Sequence, residues 1–130
     1  MKVINTSGSR KQARARASLK DGKGIVRING HALDQFSNAV ARMRISEPLV
    51  LAGDVVKSVN IDVSVQGGGW SSQADAIRVA IARSLAEHNK PLRKTFLDYD
   101  RLLLINDVRR NETSKPNDSK PRAKRQKSYR

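Results

Sequence analysis

The chain has 130 residues, 38% of them hydrophobic and 4% aromatic, with 26 Lys and Arg set against 12 Asp and Glu, a formal net charge of +14. That length holds one domain with a modest core, and the absence of cysteine excludes disulfides, thiolate metal sites and a thiol nucleophile. With no apolar run long enough to span a bilayer and no signal-peptide-like start, a soluble cytoplasmic protein is expected, and its charge points to a polyanionic partner.

The first element in the chain is residues 12–19, where Ala13, Ala15, Ala17 and Leu19 alternate with Arg14, Arg16 and Ser18. A period of two predicts a strand with one apolar face and one arginine face. Asp21-Gly22-Lys23-Gly24 carries turn chemistry, so Ile25–Ile28 is expected as the return strand of a hairpin, closed by Asn29-Gly30. Leu33, Phe36, Val40 and Met43 then recur at helical spacing, predicting an amphipathic helix. Pro48 near the start of Leu49–Gly53 predicts a second, short helix, since proline suits a first turn and glycine an exit.

Residues 58–66 give the clearest strand, with Val59, Ile61, Val63 and Val65 inward and Asn60, Asp62, Ser64 and Gln66 outward. It runs into Gly67-Gly68-Gly69 and a long helix over about 71–88. The buried stripe of that helix is Ala74, Ile77, Ile81 and Leu85, with Arg78 and Arg83 set off from it, and Ser72 with Asp75 resembles a capping box. Pro91 opens a further short helix carrying Leu92 and Phe96, and Arg101–Ile105 reads as a last, nearly fully buried strand.

Catalysis finds little support. His31 and His88 lie far apart outside any metal or triad spacing, and Asp98 and Asp100 are better explained by turn and cap duty. No catalytic residue, metal site or cofactor is expected. The glycine triplet before a helix N-terminus suits either a tight turn or a phosphate cradle. It lacks the third glycine of a dinucleotide fingerprint and the Gly-Lys-Ser/Thr of a nucleotide P-loop.

Charge is unevenly placed. Residues 1–23 carry seven basic residues and one acid, residues 24–108 ten and nine, and residues 109–130 nine and two. The expected organisation is a nearly neutral body with cationic extensions at both ends, divided into a globular body at 1–108 and a basic tail at 109–130. The tail has no Leu, Ile, Val, Phe or Met after Val108, so it cannot offset its own ordering entropy. Extended, it would reach about 70 Å. Arg10, Lys11, Arg14 and Arg16 are expected in one line, repeating at roughly 6.6–7 Å for alternate strand residues, near the spacing of phosphates along one strand. In the tail, Lys120, Arg122, Lys124, Arg125, Lys127 and Arg130 fall in an acid-free run that repels itself unless a polyanion neutralises it. Arginine pairs phosphate bidentately, and Tyr129 is placed to stack on an unpaired base. Rival readings are a DNA-compacting protein, which shares the basic ends, and an RNA-processing enzyme, which needs a clustered acid, base or metal set. A solubility tail, a localisation signal and membrane binding fit less well.

The segment Gly8-Ser9-Arg10-Lys11-Gln12-Ala13-Arg14-Ala15-Arg16 resembles the opening of the universal ribosomal small-subunit protein nine family. Gly24-Ile25-Val26-Arg27-Ile28-Asn29-Gly30 and Glu47-Pro48-Leu49 match later family segments. Val63–Gly69, followed by Gln73–Arg78 and Ala82–Leu85, matches its central signature. The ending Gln126-Lys127-Ser128-Tyr129-Arg130 is similar to the archaeal and eukaryotic type. Ser72 and Asn117-Asp118-Ser119 depart from the glycines usual there.

The resemblance implies an α+β two-layer sandwich. Its sheet would be four-stranded and mainly antiparallel, with helices on one face, a left-handed βαβ crossover and an extended basic C-terminal tail. It implies a structural, non-enzymatic constituent of the small ribosomal subunit, bound in the head to small-subunit rRNA and to neighbouring ribosomal proteins. The rRNA set would be Arg10, Lys11, Arg14, Arg16, Gly67, Gly68, Gly69, Arg109, Arg110, Lys115, Lys120, Arg122, Lys124 and Arg125. Lys127, Ser128, Tyr129 and Arg130 would touch peptidyl-site tRNA. No membrane and no small-molecule substrate is implied.

Overall fold

The computed structural model describes residues 2–36 and 38–109. Its frame is a five-stranded mixed sheet under three helices, an α+β architecture. The strands are β1 (Ile4–Arg10), β2 (Ala13–Asp21), β3 (Val26–Ile28), β4 (His31–Ala32) and β5 (Val59–Gln66), in the order β1-β2-β5-β3-β4. Three of the four pairings are antiparallel, and β3 runs parallel to β5. The helices are α1 (Ala39–Ala52), α2 (Trp70–His88) and α3 (Leu92–Tyr99). α1 lies on the connection from β3 to its parallel neighbour β5.

The alternating segments fold as their period dictates. On β2, Ala13, Ala15, Ala17 and Leu19 are buried, and on β5 so are Val59, Ile61, Val63 and Val65. The register sets Ala15 against Val65, Ala17 against Val63 and Leu19 against Ile61, so one face of the sheet is continuous core. α2 covers it with Ala74, Ile77, Ile81 and Leu85, all fully buried. The inward residues of β2 are mainly alanines, as are Ala74, Ala76, Ala80 and Ala82 of α2, and small side chains on both sides let helix and sheet approach closely. Gly8 of β1 marks the tightest point: a Cβ there would lie 2.5 Å from the Ala76 carbonyl oxygen and 2.8 Å from the Ala80 nitrogen.

Several expectations are corrected. The sheet has five strands rather than four. The N-terminal segment is no extension: it forms β1 and β2, an antiparallel hairpin turning at Lys11-Gln12, with Lys11 at φ +53°. β2 and β3 are not a hairpin, because β5 lies between them. The turn-like residues after β2 bond to the start of β5 and the residue before it: Gly22 and Gly24 N–H donate to the Ser58 and Val59 carbonyls, and Asn60 Oδ1 accepts from Lys23 and Ile25 N–H. Asn29-Gly30, both at positive φ, closes the short β3–β4 hairpin.

α1 is one helix running through Pro48 rather than two. Its buried stripe is Ala41, Ile45, Pro48 and Ala52, while the expected stripe members Val40 and Met43 are 51% and 71% exposed. Pro48 lies in the helix interior with its ring buried, at a position where proline removes one backbone hydrogen bond. Residues 101–105 are not a strand: Arg101–Leu103 is a 3-10 turn capped by Asp100, whose Oδ1 accepts from Leu102 N–H. Only Leu103 of that apolar run is fully buried. The Ser72–Asp75 capping box does not form. Gly69 is the N-cap of α2 without a side-chain bond, and Asp75 turns to Arg10 and Arg44.

Candidate nucleic-acid interface

The face of the sheet opposite α2 is open. Arg14 and Arg16 project from it, both exposed, and neither has a hydrogen-bonding or ion-pairing partner among the described residues. Their neighbours across the ladder are neutral and polar: Ser9 and Gln66 beside Arg14, Ser7 and Ser64 beside Arg16. Gln12, Arg14, Arg16, Ser64, Gln66 and Gly67 together line a shallow concavity without an acid. Asp62, further along β5, is 4.0 Å from Lys20 and neutralises that lysine instead. Two unpaired guanidinium groups flanked by hydroxyls and an amide make a surface suited to phosphate and ribose oxygens.

The glycine loop closes one end of this concavity. Gly67 and Gly68 stand at φ +78° and +66°, and a side chain on Gly67 would run into the Gln12 carbonyl of the β1–β2 turn. The loop is therefore a tight strand-to-helix turn. Gly69 has open space around it and begins α2 without a side-chain cap, leaving first-turn N–H groups beside the concavity. Gln73 Nε2 holds the loop by donating to the Gly67 carbonyl at 3.1 Å. Behind it, Arg44 donates to Ser71 Oγ at 2.8 Å and lies 6.0 Å from the centroid of the Trp70 ring.

Arg10 departs from the expected line. It pairs with Ala13 in register and so faces the helical side, where its side chain is only 14% exposed. Its Nε lies 3.5 Å from Asp107 and 3.8 Å from Asp75, and its Nη1 donates to the Arg109 carbonyl at 3.1 Å. Arg10 is thus a structural anchor for the segment that leads into residues 110–130. Asn106 Oδ1 accepts from Ser9 N–H, and Arg83 donates to the carbonyls of both Leu104 and Ser7 at 2.8 Å. These bonds lay residues 104–109 along the outer edge of β1.

Arg109 folds back on Asp107, with 2.7 Å between Nη2 and Oδ2. Hydrogen bonds from the Arg109 side chain and backbone hold the Asp107 carboxyl well below the usual carboxylate range, and Asp107 in turn raises the Arg109 guanidinium. Arg110, Lys115, Lys120, Arg122, Lys124, Arg125, Lys127, Ser128, Tyr129 and Arg130 lie outside the described residues. Lys11, exposed at the β1–β2 turn, Arg14, Arg16 and the glycine loop gather at one end of the sheet, and Arg10 ties the exit of the chain at Arg109 to that same end. Ser64, Gln66, Asp107 and Arg83 were not singled out as site residues. The outward position of the first two was legible, whereas the roles of the last two depend on contacts distant in sequence.

The ribosomal protein S9/S16 family model matches residues 8–130. A protein of Methanothrix thermoacetophila named "Small ribosomal subunit protein uS9" is 47% identical over the full length of both chains. Proteins of the same name from Methanococcus maripaludis and Methanococcus vannielii are 45% identical, again over the whole of each chain.

Proposed function

This chain belongs to the ribosomal protein S9/S16 family, and from that premise we propose that it works in the small ribosomal subunit by binding rRNA through its open sheet face and its basic tail. It is a structural constituent of that subunit and not an enzyme. Arg14 and Arg16 take phosphates, Ser64 and Gln66 offer hydrogen bonds to the backbone between them, and Lys11 and the start of α2 receive the chain where it leaves the sheet. The observation that carries this reading is the pair of exposed arginines, unpartnered among the described residues, in an acid-free concavity of the open sheet at the end from which the tail departs. Arg110, Lys115, Lys120, Arg122, Lys124 and Arg125 continue the contact along rRNA in the subunit head. Lys127, Ser128, Tyr129 and Arg130 reach the anticodon stem-loop of peptidyl-site tRNA.

The test is the salt dependence of binding to small-subunit rRNA. Each phosphate contact contributes about 0.7–0.9 to the log–log slope, so R14A/R16A flattens it by about 1.4–1.8. An unchanged slope rejects the sheet face as a binding surface. Competition with duplex DNA separates this reading from DNA compaction, because the preference expected here is for structured RNA. Deleting Ser128–Arg130 leaves subunit assembly intact and weakens tRNA retention; unaltered retention rejects the role of the tail tip.

A further inference from the structure

Beside Thr6 and Ser7 of the edge strand β1, a groove runs between the C-terminal half of α2, α3 and residues 104–105. Arg83, Lys90 and Arg93 stand along it with a single acid, Glu87. Lys90 and Arg93 are exposed, and their side chains have no partner among the described residues. Arg83 is more unusual. Half-buried, it spends its Nε and Nη1 on the neutral carbonyls of Leu104 and Ser7, and no carboxylate of the described residues lies within ion-pair distance. Burial accordingly pushes its guanidinium below its ordinary value. A partly desolvated cation without a counterion among the described residues carries an electrostatic cost that an external anion relieves. The floor of the groove is apolar, with Leu97 and Ile105 41% and 38% exposed and Leu104 beneath them.

We infer that this groove is a second RNA-binding surface, taking an unpaired nucleotide with its base on Leu97 and Ile105 and its phosphate between Arg83, Lys90 and Arg93. The inference rests on the reading of the chain as an rRNA-binding protein and adds to it that the body is bivalent. One RNA segment lies on the open sheet, another on the helical layer, and the folded domain bridges the two. An acidic peptide would also be drawn to the cations. The apolar floor is short and carries the cations on its rim, which matches the alternation of base and phosphate in one nucleotide.

The chain has no cysteine, so a single introduced one is a unique attachment point. Full-length chains carrying Glu87→Cys, which removes the one acid of the groove, or Ser64→Cys, on the open sheet, are labelled with a photo-activated cross-linker and assembled into small subunits. The expected result is that both positions cross-link to rRNA, at two separate segments. Cross-links from position 87 to protein alone, or none, with position 64 still reaching RNA, overturn the second surface and leave the first standing. Both positions reaching the same nucleotides overturn the bridge. Neither reaching RNA overturns this inference together with the function it rests on. In solution, K90A/R93A lowers the salt slope for rRNA binding by about 1.4 with an unchanged unfolding midpoint. An unaltered slope rejects the groove.

Discussion

Replacing Gly8 by alanine tests the packing on which the whole body depends. The added Cβ would sit 2.5 Å from the Ala76 carbonyl oxygen, 2.8 Å from the Ala80 nitrogen and 2.9 Å from the Val79 Cβ. Two of these neighbours are helix backbone and the third is a Cβ, so no side-chain rotation relieves them; α2 must move off the sheet. Doing so would open the contact between Ala76, Ala80 and the alanines of β2, all fully buried. Overpacking a tight core costs about 1–3 kcal/mol, and three simultaneous contacts against rigid atoms place this substitution near about 3 kcal/mol. For a domain of this size each kcal/mol moves the midpoint by about 4 °C, so a fall of about 12 °C is expected by far-UV circular dichroism. Gly69→Ala is the control: nothing lies within 4 Å of its Cβ, and the lost N-cap preference and the reduced unfolded-state entropy nearly offset each other. If G8A melted within about 4 °C of the parent, the close approach of β1 and α2 would be disproved.

Three further outcomes are expected. Gly67→Ala combines a left-handed backbone with a clash against the Gln12 carbonyl, so it destabilises by about 2 kcal/mol and weakens rRNA binding; denaturant titration and filter binding report the two effects. Arg78→Met removes the cation between Glu47 and Asp100, whose carboxylates are 36% and 37% exposed; solvent screening limits the loss to about 1–2 kcal/mol, measured by denaturant unfolding at low and high salt. Asp107→Asn weakens the hold of Arg10 and Arg109 on the tail root and speeds tryptic cleavage near Arg109. Because the folded carboxyl is depressed, its contribution is fully present above the ordinary value of about 4 and is lost only as pH falls through the lower folded value. Cleavage of the parent between pH 6 and 8 should therefore show no change attributable to Asp107.

What the sequence disclosed follows from how strongly each segment commits to a period. β2, β5 and α2 are long and amphipathic, and their inward residues are the ones expected. β1 was illegible: of its inward residues Ile4, Thr6, Gly8 and Arg10, only Ile4 is a large apolar side chain. Glycine is there because α2 is too close for anything else, and arginine because Asp75 and Asp107 meet it. Neither reason is local. The run Leu102-Leu103-Leu104-Ile105 misled in the opposite way, since an unbroken apolar stretch has no period and fits a buried strand as well as an irregular segment. For the site, Arg14 and Arg16 were readable from alternation alone. The inward turn of Arg10 required the β1–β2 register, and the groove beside Arg83 required contacts between elements up to 76 residues apart.

The alternation of β2 links folding to the binding proposed above. A slip of one residue would turn Arg14 and Arg16 toward α2 and the alanines toward solvent. Each inward arginine would then lose its hydration without a counterion, at a cost of several kcal/mol per charge. The arginines therefore help to fix the register that presents them. The alanines complete the linkage: small enough to admit α2, they leave the large buried side chains to other positions, among them Leu19, Ile45, Ile61, Ile77, Ile81, Leu85 and Phe96. A larger residue at Ala15 would thicken the inner layer without touching the outer face. Damage to rRNA binding from such a change would have to travel through the sheet, and the exposed arginine pair would feel it only if β2 itself moved.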